Sequence, residues 1–321
     1  VAQLVPTQPP PLVSVLMLTR NHEAYLQQAI ASVQAQSFQD WELLIGEDAS
    51  SDGTAQVAAA AAAADPQRIQ VLSSPKGALG FHHNFARLLA QARGAFVAFL
   101  EGDDYWIEPT KLAAQLALLH ANPSLSFCGG RTLVLDQRSP SAKEPSREIG
   151  PPPGSYRIGF EQMIDGYSFH FASVLMRRQA VEMPAWIFSQ YCLDRPLYLL
   201  AACHGDAGVL DQCLSVYRLH QGGVWAPLSP LQRACRSRAL FSTFCHQFPR
   251  RYRRRFRLAL SHILWSYLAE ALDQRRRWQS LAILAMGVEA APALRLLRQP
   301  RPTLGSLAKS LLTLPCRQPS A

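Results

Sequence analysis

The chain has 321 residues, 48% hydrophobic and 17% charged, which is enough apolar content for one large domain or two smaller ones and excludes a disordered polypeptide. Its net charge of +9 is segregated: residues 1–230 carry 15 Lys and Arg against 20 Asp and Glu, whereas residues 231–321 carry 17 against 3. The seven cysteines are scattered, with no CxxC pair and no His/Cys cluster at zinc-finger spacing, so they read as reduced cytosolic thiols and exclude a zinc finger.

Residues 1–11 form a proline-rich lead (Pro6, Pro9, Pro10, Pro11) without the basic-then-apolar order of a signal peptide. No uncharged apolar run reaches membrane-span length, so the expectation is a soluble or peripheral protein on the cytoplasmic side. The continuous apolar run Val13 to Leu18 predicts a strand buried on both faces. Tyr25, Leu26, Ala29, Ile30 and Val33 then fall at helical spacing over residues 22–34, and Trp41 to Ile45 returns to a strand.

The alternation continues with a helix over Thr54 to Ala64, a strand over Ile69 to Leu72, a helix over Phe81 to Arg93 and a strand over Phe96 to Leu100, with Gly94 where a helix should stop. This order predicts an α/β fold, an open and mostly parallel sheet with helices on both faces, which binds ligands beyond the carboxyl ends of its strands. Two acidic clusters lie at such ends: Glu47, Asp48 and Asp52 after one strand, Glu101, Asp103 and Asp104 after another. They should converge on one crevice.

Residues 136–158, rich in Pro, Ser and Gly, read as a loop or linker. Short strands are expected at Ser173 to Met176 and Leu214 to Leu219, with a helix between them starting near Asp194. From about Leu231 onward the sequence reads as helices rich in Arg, Leu and Ala.

Three carboxylates within Glu101-Gly102-Asp103-Asp104 repel one another unless a cation is present, and hard oxygen ligands of this kind suit Mg²⁺ or Mn²⁺ completed by substrate phosphates. Taken alone, four such residues more often make a solvated acidic turn. The order of Thr19-Arg20-Asn21-His22-Glu23, Glu47-Asp48-Ala49-Ser50-Ser51-Asp52-Gly53-Thr54 and Glu101-Gly102-Asp103-Asp104-Tyr105-Trp106 on successive strand ends resembles glycosyltransferase family 2, inverting enzymes of the Rossmann-like GT-A fold. The resemblance covers about residues 12–225.

Together with the proline-rich lead and the basic tail it gives three segments: the lead, a GT-A domain over residues 12–228 and a basic α-helical region over 229–321. It places Thr19, Asn21 and Asp48 in the pocket for the nucleotide base and ribose, with Glu23, Ser50, Asp52, Glu101 and Trp225 also on the donor side. The family's DXD motif aligns with Glu101-Gly102-Asp103, which makes Asp103 the ligand of a Mn²⁺ or Mg²⁺ ion and sets Asp104 beside it on the sugar or diphosphate. The first DXD position is Glu, and Arg20 replaces the aromatic that commonly follows the first-strand Thr, so it is expected to stack on the base or pair with phosphate.

Leu193-Asp194-Arg195-Pro196-Leu197-Tyr198 resembles the segment that supplies the family's catalytic carboxylate, which implies that Asp194 is the general base. Taken alone, Asp ahead of Arg-Pro also suits a helix N-cap. Tyr217-Arg218-Leu219-His220-Gln221-Gly222-Gly223-Val224-Trp225 resembles the segment whose His reaches the metal or diphosphate, and Gly222 and Gly223 would let the loop close over donor. Trp106 and Trp225 either stack on a sugar or join the core; His170 sits where related enzymes shape the acceptor side, and Lys76-Gly77 either approaches phosphate or forms a surface turn.

The implied reaction transfers a sugar from a nucleotide-sugar donor, UDP-sugar foremost, to a saccharide or lipid-linked acceptor of surface polysaccharide or glycan synthesis. A sugar nucleotidyltransferase is the nearest enzymatic rival, but it needs a Gly-rich phosphate loop that residues 19–23 lack. A catalytically inactive nucleotide-sugar-binding module recruited by its basic tail is the rival from another class.

In that tail, Arg250, Arg251, Arg253, Arg254, Arg255 and Arg257 precede an apolar-rich stretch and then Arg275, Arg276 and Arg277, so residues 250–277 could lie on an anionic membrane. Nucleic acid is disfavoured because no RNP, KH or helix-turn-helix signature accompanies the arginines. The competing reading makes Leu260, Ile263, Leu264, Tyr267 and Leu268 a buried stripe packing on the catalytic domain or on a second subunit of a homodimer.

Overall fold

The structure, a computed structural model, describes residues 9–74, 77–138, 144–166, 169–223 and 228–290, with residues 288–290 described by their backbone alone. In chain order the elements are β1 (Val13–Thr19), α1 (Glu23–Gln34), β2 (Trp41–Glu47), α2 (Thr54–Ala64), β3 (Ile69–Ser73), α3 (Phe81–Gln91), β4 (Phe96–Glu101) and β5 (Tyr105–Trp106). There follow α4 (Lys111–Ala121), β6 (Leu125–Asp136), β7 (Arg147–Ile149), β8 (Arg157–Ile158), α5 (Phe160–Ile164), β9 (Leu175–Arg177), α6 (Asp194–Ala201) and β10 (Asp206–Leu219). Three helices close the described chain: α7 (Pro230–Gln247), α8 (Arg253–Asp273) and α9 (Arg277–Ala290). The described residues cluster as two compact units that divide after His220, the second also taking in Ile164–Gly166.

The first unit is built on one sheet of order β3-β2-β1-β4-β9-β6-β10-β5, with β7 on β6 and β8 on β10. β3, β2, β1 and β4 run parallel, as the β-α-β alternation requires. Beyond β4 the sheet is mixed, because β9 is antiparallel to both β4 and β6 while β10 returns parallel to β6.

Every residue of β1 is buried, because helices cover both faces of the sheet. Val13, Val15 and Met17 point into a core shared with Leu26, Ala29, Ile30 and Val33 of α1 and Leu112, Leu116 and Leu119 of α4. On the opposite face Phe99 of β4 packs against Phe85 of α3, with ring centroids 5.6 Å apart, and stacks on Phe171 at 4.5 Å.

After β1 the chain builds β2 and β3 on one side and then crosses to place β4 on the other, so strand order reverses at β1. Such a reversal opens a crevice at the carboxyl ends of the strands. Thr19 of β1 is in register with Glu47, and Leu18 with Glu101, so both acidic clusters border that crevice.

Several expectations shift at element ends. β2 and β4 run on through their terminal glutamates, and the region read as a linker contributes the edge strands β7 and β8. β10 is fourteen residues long where only its last six residues were expected. A 3-10 turn over Phe171–Ser173 precedes β9.

The second unit, taken by itself, packs α7, α8 and α9 together. α7 opens with a capping box, Ser229 and Gln232 each binding the other's backbone N–H, and with Pro230 in its first turn. Phe256, Leu260, Leu264 and Leu268 of α8 lie on one buried face, so the apolar stripe of α8 is consumed inside the helical unit.

Candidate active site

The centre of the site is the turn after β4. Gly102 donates its N–H to the Leu18 carbonyl at 2.8 Å. A Cβ at Gly102 would lie 2.6 Å from Thr19 Oγ1 and 3.1 Å from His22 Nδ1, so only glycine lets the turn approach β1 this closely. Glu101 and Asp103 therefore emerge on either side of a fixed pivot.

Asp103 Oδ2 faces two imidazoles, His220 Nε2 at 3.0 Å and His22 Nε2 at 3.5 Å. Burial works against ionisation of Asp103, but the hydrogen bond from His220 and the field of His22 outweigh it and hold its carboxyl below the usual range. Burial, only partly opposed by Asp103, lowers His22 in turn. Glu101 is pushed up to about 8, first by burial and then by Asp103 and Asp194, and its Oε2 is buried with no hydrogen-bond partner.

Asp104 is 1% exposed. It accepts the Arg218 N–H at 2.9 Å and lies 3.8 Å from His170 Nε2, and burial followed by its two acidic neighbours raises its carboxyl well above the usual range. The Arg218 guanidinium donates to the Asp103 carbonyl and to Gln28, 4.4 Å from the Tyr105 ring and 5.2 Å from that of Tyr25. It thereby clamps the acidic turn to β10. His170 stacks on Tyr217 at 4.4 Å, and burial pushes it down to about 4.

The neighbouring wall is made by the loops after β1 and β2, which are stitched together. Asn21 donates its N–H to Ser50 Oγ at 3.0 Å and accepts the Ser51 N–H at 2.8 Å on its side chain. Glu23 accepts from Gly53 at 2.9 Å and donates its own N–H to Asp52, while Ser50 donates its N–H to Glu47 at 2.6 Å. Asn21 and Ala49 both adopt the left-handed region, at φ of 56° and 54°, a strained geometry concentrated at this wall. The buried Asp48 carboxylate holds the loop before α3 by accepting the Leu79 and Gly80 N–H groups at 2.6 and 2.9 Å.

Asp194 opens α6. The residue in the cap position is Leu193, and no side-chain cap bond forms there, so the helix-cap alternative for Asp194 does not hold. Its carboxylate bears on Glu101, on the Cys192 thiol and on the buried Tyr198 hydroxyl, raising all three after burial has done so.

Thr19, Glu101, Asp103, Asp104, His220 and Asp194 thus share one neighbourhood, with Asn21, Glu23, Asp48, Ser50 and Asp52 in the adjoining loops. Trp225 and Lys76 lie outside the described residues. Arg20 is exposed. Trp106 belongs to the core: it is buried, donates its indole N–H to the Ala172 carbonyl at 2.8 Å and carries the Lys111 ammonium 4.1 Å above its ring. The residues that sequence reading passed over are His22, Arg218 and Tyr25. His22 and Arg218 stood inside motifs already singled out, but nothing local showed that they turn toward Asp103.

A carboxylate facing two imidazoles at an acidic turn is an oxygen-and-nitrogen donor set compatible with Mn²⁺ and, through its oxygen, Mg²⁺. Among the described residues no group of three or more His, Cys, Asp or Glu could hold a metal ion on its own. A partial set of this kind fits an ion whose remaining ligands are substrate phosphate oxygens and water. The orphaned Glu101 Oε2 and Thr19 Oγ1 leave further polar capacity at the same place.

The family model described as Glycosyl transferase family 2 matches residues 14–183, more than half of the chain. An uncharacterised protein of Mycobacterium tuberculosis (strain ATCC 25618 / H37Rv) is 29% identical over 217 residues, 66% of this chain and 60% of that one. A UDP-Glc:alpha-D-GlcNAc-diphosphoundecaprenol beta-1,3-glucosyltransferase of Escherichia coli is 35% identical over 130 residues, 40% of this chain and 48% of that one. The chain thus spans about three-fifths or less of the length of these curated relatives.

Among solved structures, TarS 1-349 of S. aureus in complex with UDP-GlcNAc superposes with a TM-score of 0.56 at 16% identity, covering 91% of this chain and 95% of that one. A mannosyltransferase from Pyrobaculum calidifontis in complex with GDP-Man and Mn²⁺ gives a TM-score of 0.61 at 16% identity, covering 95% and 80%. At that identity the likeness is one of fold.

Proposed function

This chain belongs to glycosyltransferase family 2, and from that premise we propose that it is a metal-dependent inverting transferase that moves a sugar from a nucleotide diphosphate, UDP foremost, to a saccharide or lipid-linked acceptor in surface polysaccharide or glycan synthesis. The observation that carries the reading is Asp103 held between His22 and His220 at the strand-order reversal, with Asp194 acting electrostatically on the same turn.

Thr19, Asn21 and Asp48 line the base and ribose end of the donor pocket in this reading. Asp48 keeps acceptor capacity beyond the two N–H groups it already holds, since a carboxylate offers about four lone-pair sites. Asp103 and His220, with His22 beside them, would hold a Mn²⁺ or Mg²⁺ ion. When bound, that ion supplies Lewis-acid neutralisation of the charge that develops on the leaving diphosphate. Asp104 and Arg218 keep the turn rigid, so the donor meets a preorganised surface.

Inversion requires attack from the face opposite the leaving group. Asp194 takes the proton of the acceptor hydroxyl as its oxygen bonds to the sugar carbon and the bond to the diphosphate breaks. The carboxylate is partly exposed at the start of α6, so an acceptor can reach it. A lipid-linked acceptor finds support in the Escherichia coli relative, which is named for a diphosphoundecaprenol-linked acceptor. No described helix is long and apolar enough to cross a membrane, and a peripheral place on the inner face of the cell membrane, met through the basic helical region, completes the reading.

The test is calorimetric titration of UDP into the protein with Mn²⁺ and then with chelator, beside Asp103→Ala. Binding that needs metal and is lost in the variant is expected; UDP binding unchanged by chelator or by the substitution would sink the donor site. Transfer from a panel of UDP-sugars, with Asp194→Asn losing on the order of 10²-fold or more in kcat while UDP affinity stays unchanged, tests the base.

A further inference from the structure

The stripe that could have laid α8 on a membrane is not free to do so, because Phe256, Leu260, Leu264 and Leu268 are buried within the helical unit. The described large apolar side chains that this unit does expose are Trp278, at 65%, and Leu281, at 38%. They stand one turn apart on α9, on the same side of the helix. Immediately before them come Arg275, Arg276 and Arg277.

The turn that carries these arginines is well tied. Arg275 donates its N–H to the Leu272 carbonyl at 2.9 Å and Arg276 donates to Ala271 at 2.8 Å, the pattern of a helix closed by a left-handed residue. That residue is Arg275, at φ of 55°, where glycine would sit without strain. Arg275 is exposed at this corner. The first turn of α9 adds unpaired N–H groups that favour anions. Asp273, exposed on the last turn of α8, is the carboxylate nearest in sequence and opposes one of the three charges.

We propose that the corner Arg275–Leu281 is a docking site for an anionic phospholipid surface. Its three arginines and the start of α9 meet lipid phosphates, and Trp278 and Leu281 enter the boundary between headgroups and acyl chains. Charge complementarity names the partner: the region from residue 231 carries 17 Lys and Arg against 3 acidic residues. An indole presented beside arginines is the side-chain pairing that a bilayer interface accommodates. This deepens the reading of the basic region as the membrane-facing part and needs nothing from the donor site.

The experiment is flotation of the full chain with vesicles of phosphatidylcholine, with and without phosphatidylglycerol, at low and high salt. The wild type is expected to float with the anionic vesicles alone and to be released by salt. Arg275→Gln/Arg276→Gln/Arg277→Gln should weaken partitioning on the order of 100-fold and Trp278→Ser about tenfold. A control triple, Arg250→Gln/Arg251→Gln/Arg254→Gln, removes equal charge elsewhere and should cost far less.

Failure of the wild type to float, an equal loss in the control triple, or an unchanged Trp278→Ser would each overturn the proposal. So would tighter binding of the wild type to duplex DNA than to anionic vesicles. UDP calorimetry on every variant reports folding independently. Flotation that survives in an Asp103→Ala protein lacking UDP binding separates this proposal from the donor-site reading.

Discussion

Glu101 and Asp103 stand two residues apart and titrate in opposite directions, because one points to imidazoles and the other into a pocket that supplies no donor to its Oε2. Glu101 in the folded chain holds its proton to about pH 8, against an ordinary 4.5. Below 4.5 both states are protonated; between 4.5 and 8 the unfolded chain ionises while the folded chain does not, so this group lowers stability as pH rises and adds nothing further above 8. Glu101→Gln should therefore gain stability over wild type progressively across that window in chelator-treated protein, and a pH-independent difference by urea unfolding would contradict the assignment. Tyr198 makes a second residue-level case: its hydroxyl is buried without a partner while its ring stacks on Phe127 at 5.5 Å. Tyr198→Phe should stabilise the free chain by about 1 kcal/mol, read from the denaturant midpoint, and a loss instead would reveal a partner for the hydroxyl. At Arg218, lysine keeps the charge but not the fork that reaches both the Asp103 carbonyl and Gln28. Arg218→Lys should cost about 2 kcal/mol and weaken metal-dependent UDP binding more than a distant substitution of equal cost.

Between elements, the turn after β4 approaches the end of β1 closely. Gly102→Ala would place a methyl 2.9 Å from Thr19 Cβ as well as on its hydroxyl, and both belong to the end of the central strand β1. Overpacking of this kind costs roughly 1–3 kcal/mol, so a drop in Tm of several degrees is expected, together with weaker UDP binding. The elements whose burial follows a clean period were legible: α2 occupies the residues its alanine run predicts, and β1 extends its predicted run by one residue. Residues 107–135 were not, although they hold α4 and most of β6. The buried face of α4 includes Lys111 and Gln115, joined by a 2.8 Å hydrogen bond, and these polar residues interrupt the apolar stripe of Leu112, Leu116 and Leu119. The early part of β10 escaped for a related reason, since Asp211 and Gln212 interrupt its alternation at an exposed stretch.

Across the whole molecule, donor and metal should act as folding ligands. UDP with Mn²⁺ at about a hundred times its Kd should stabilise the chain by about 2.7 kcal/mol, seen as a Tm rise that chelator removes and that Asp103→Asn does not show. The sequence by itself determined the α/β order, the parallel start of the sheet, the acidic clusters at its strand ends and the charge division at the helical region, because each is written in neighbouring residues. Thr19, Asp48, Asp103, Asp194 and His220 are candidates that the motif resemblance proposes. Tertiary structure alone decided that His22 and His220, nearly two hundred residues apart, meet on one carboxylate oxygen. It alone decided that Asp104 is buried against the Arg218 backbone, that Trp106 is core, and that the α8 stripe is spent inside the helical unit while Trp278 stays exposed. Local pattern carries periodicity and charge, whereas burial and the partner of a polar atom depend on which distant strand or helix the topology sets beside it.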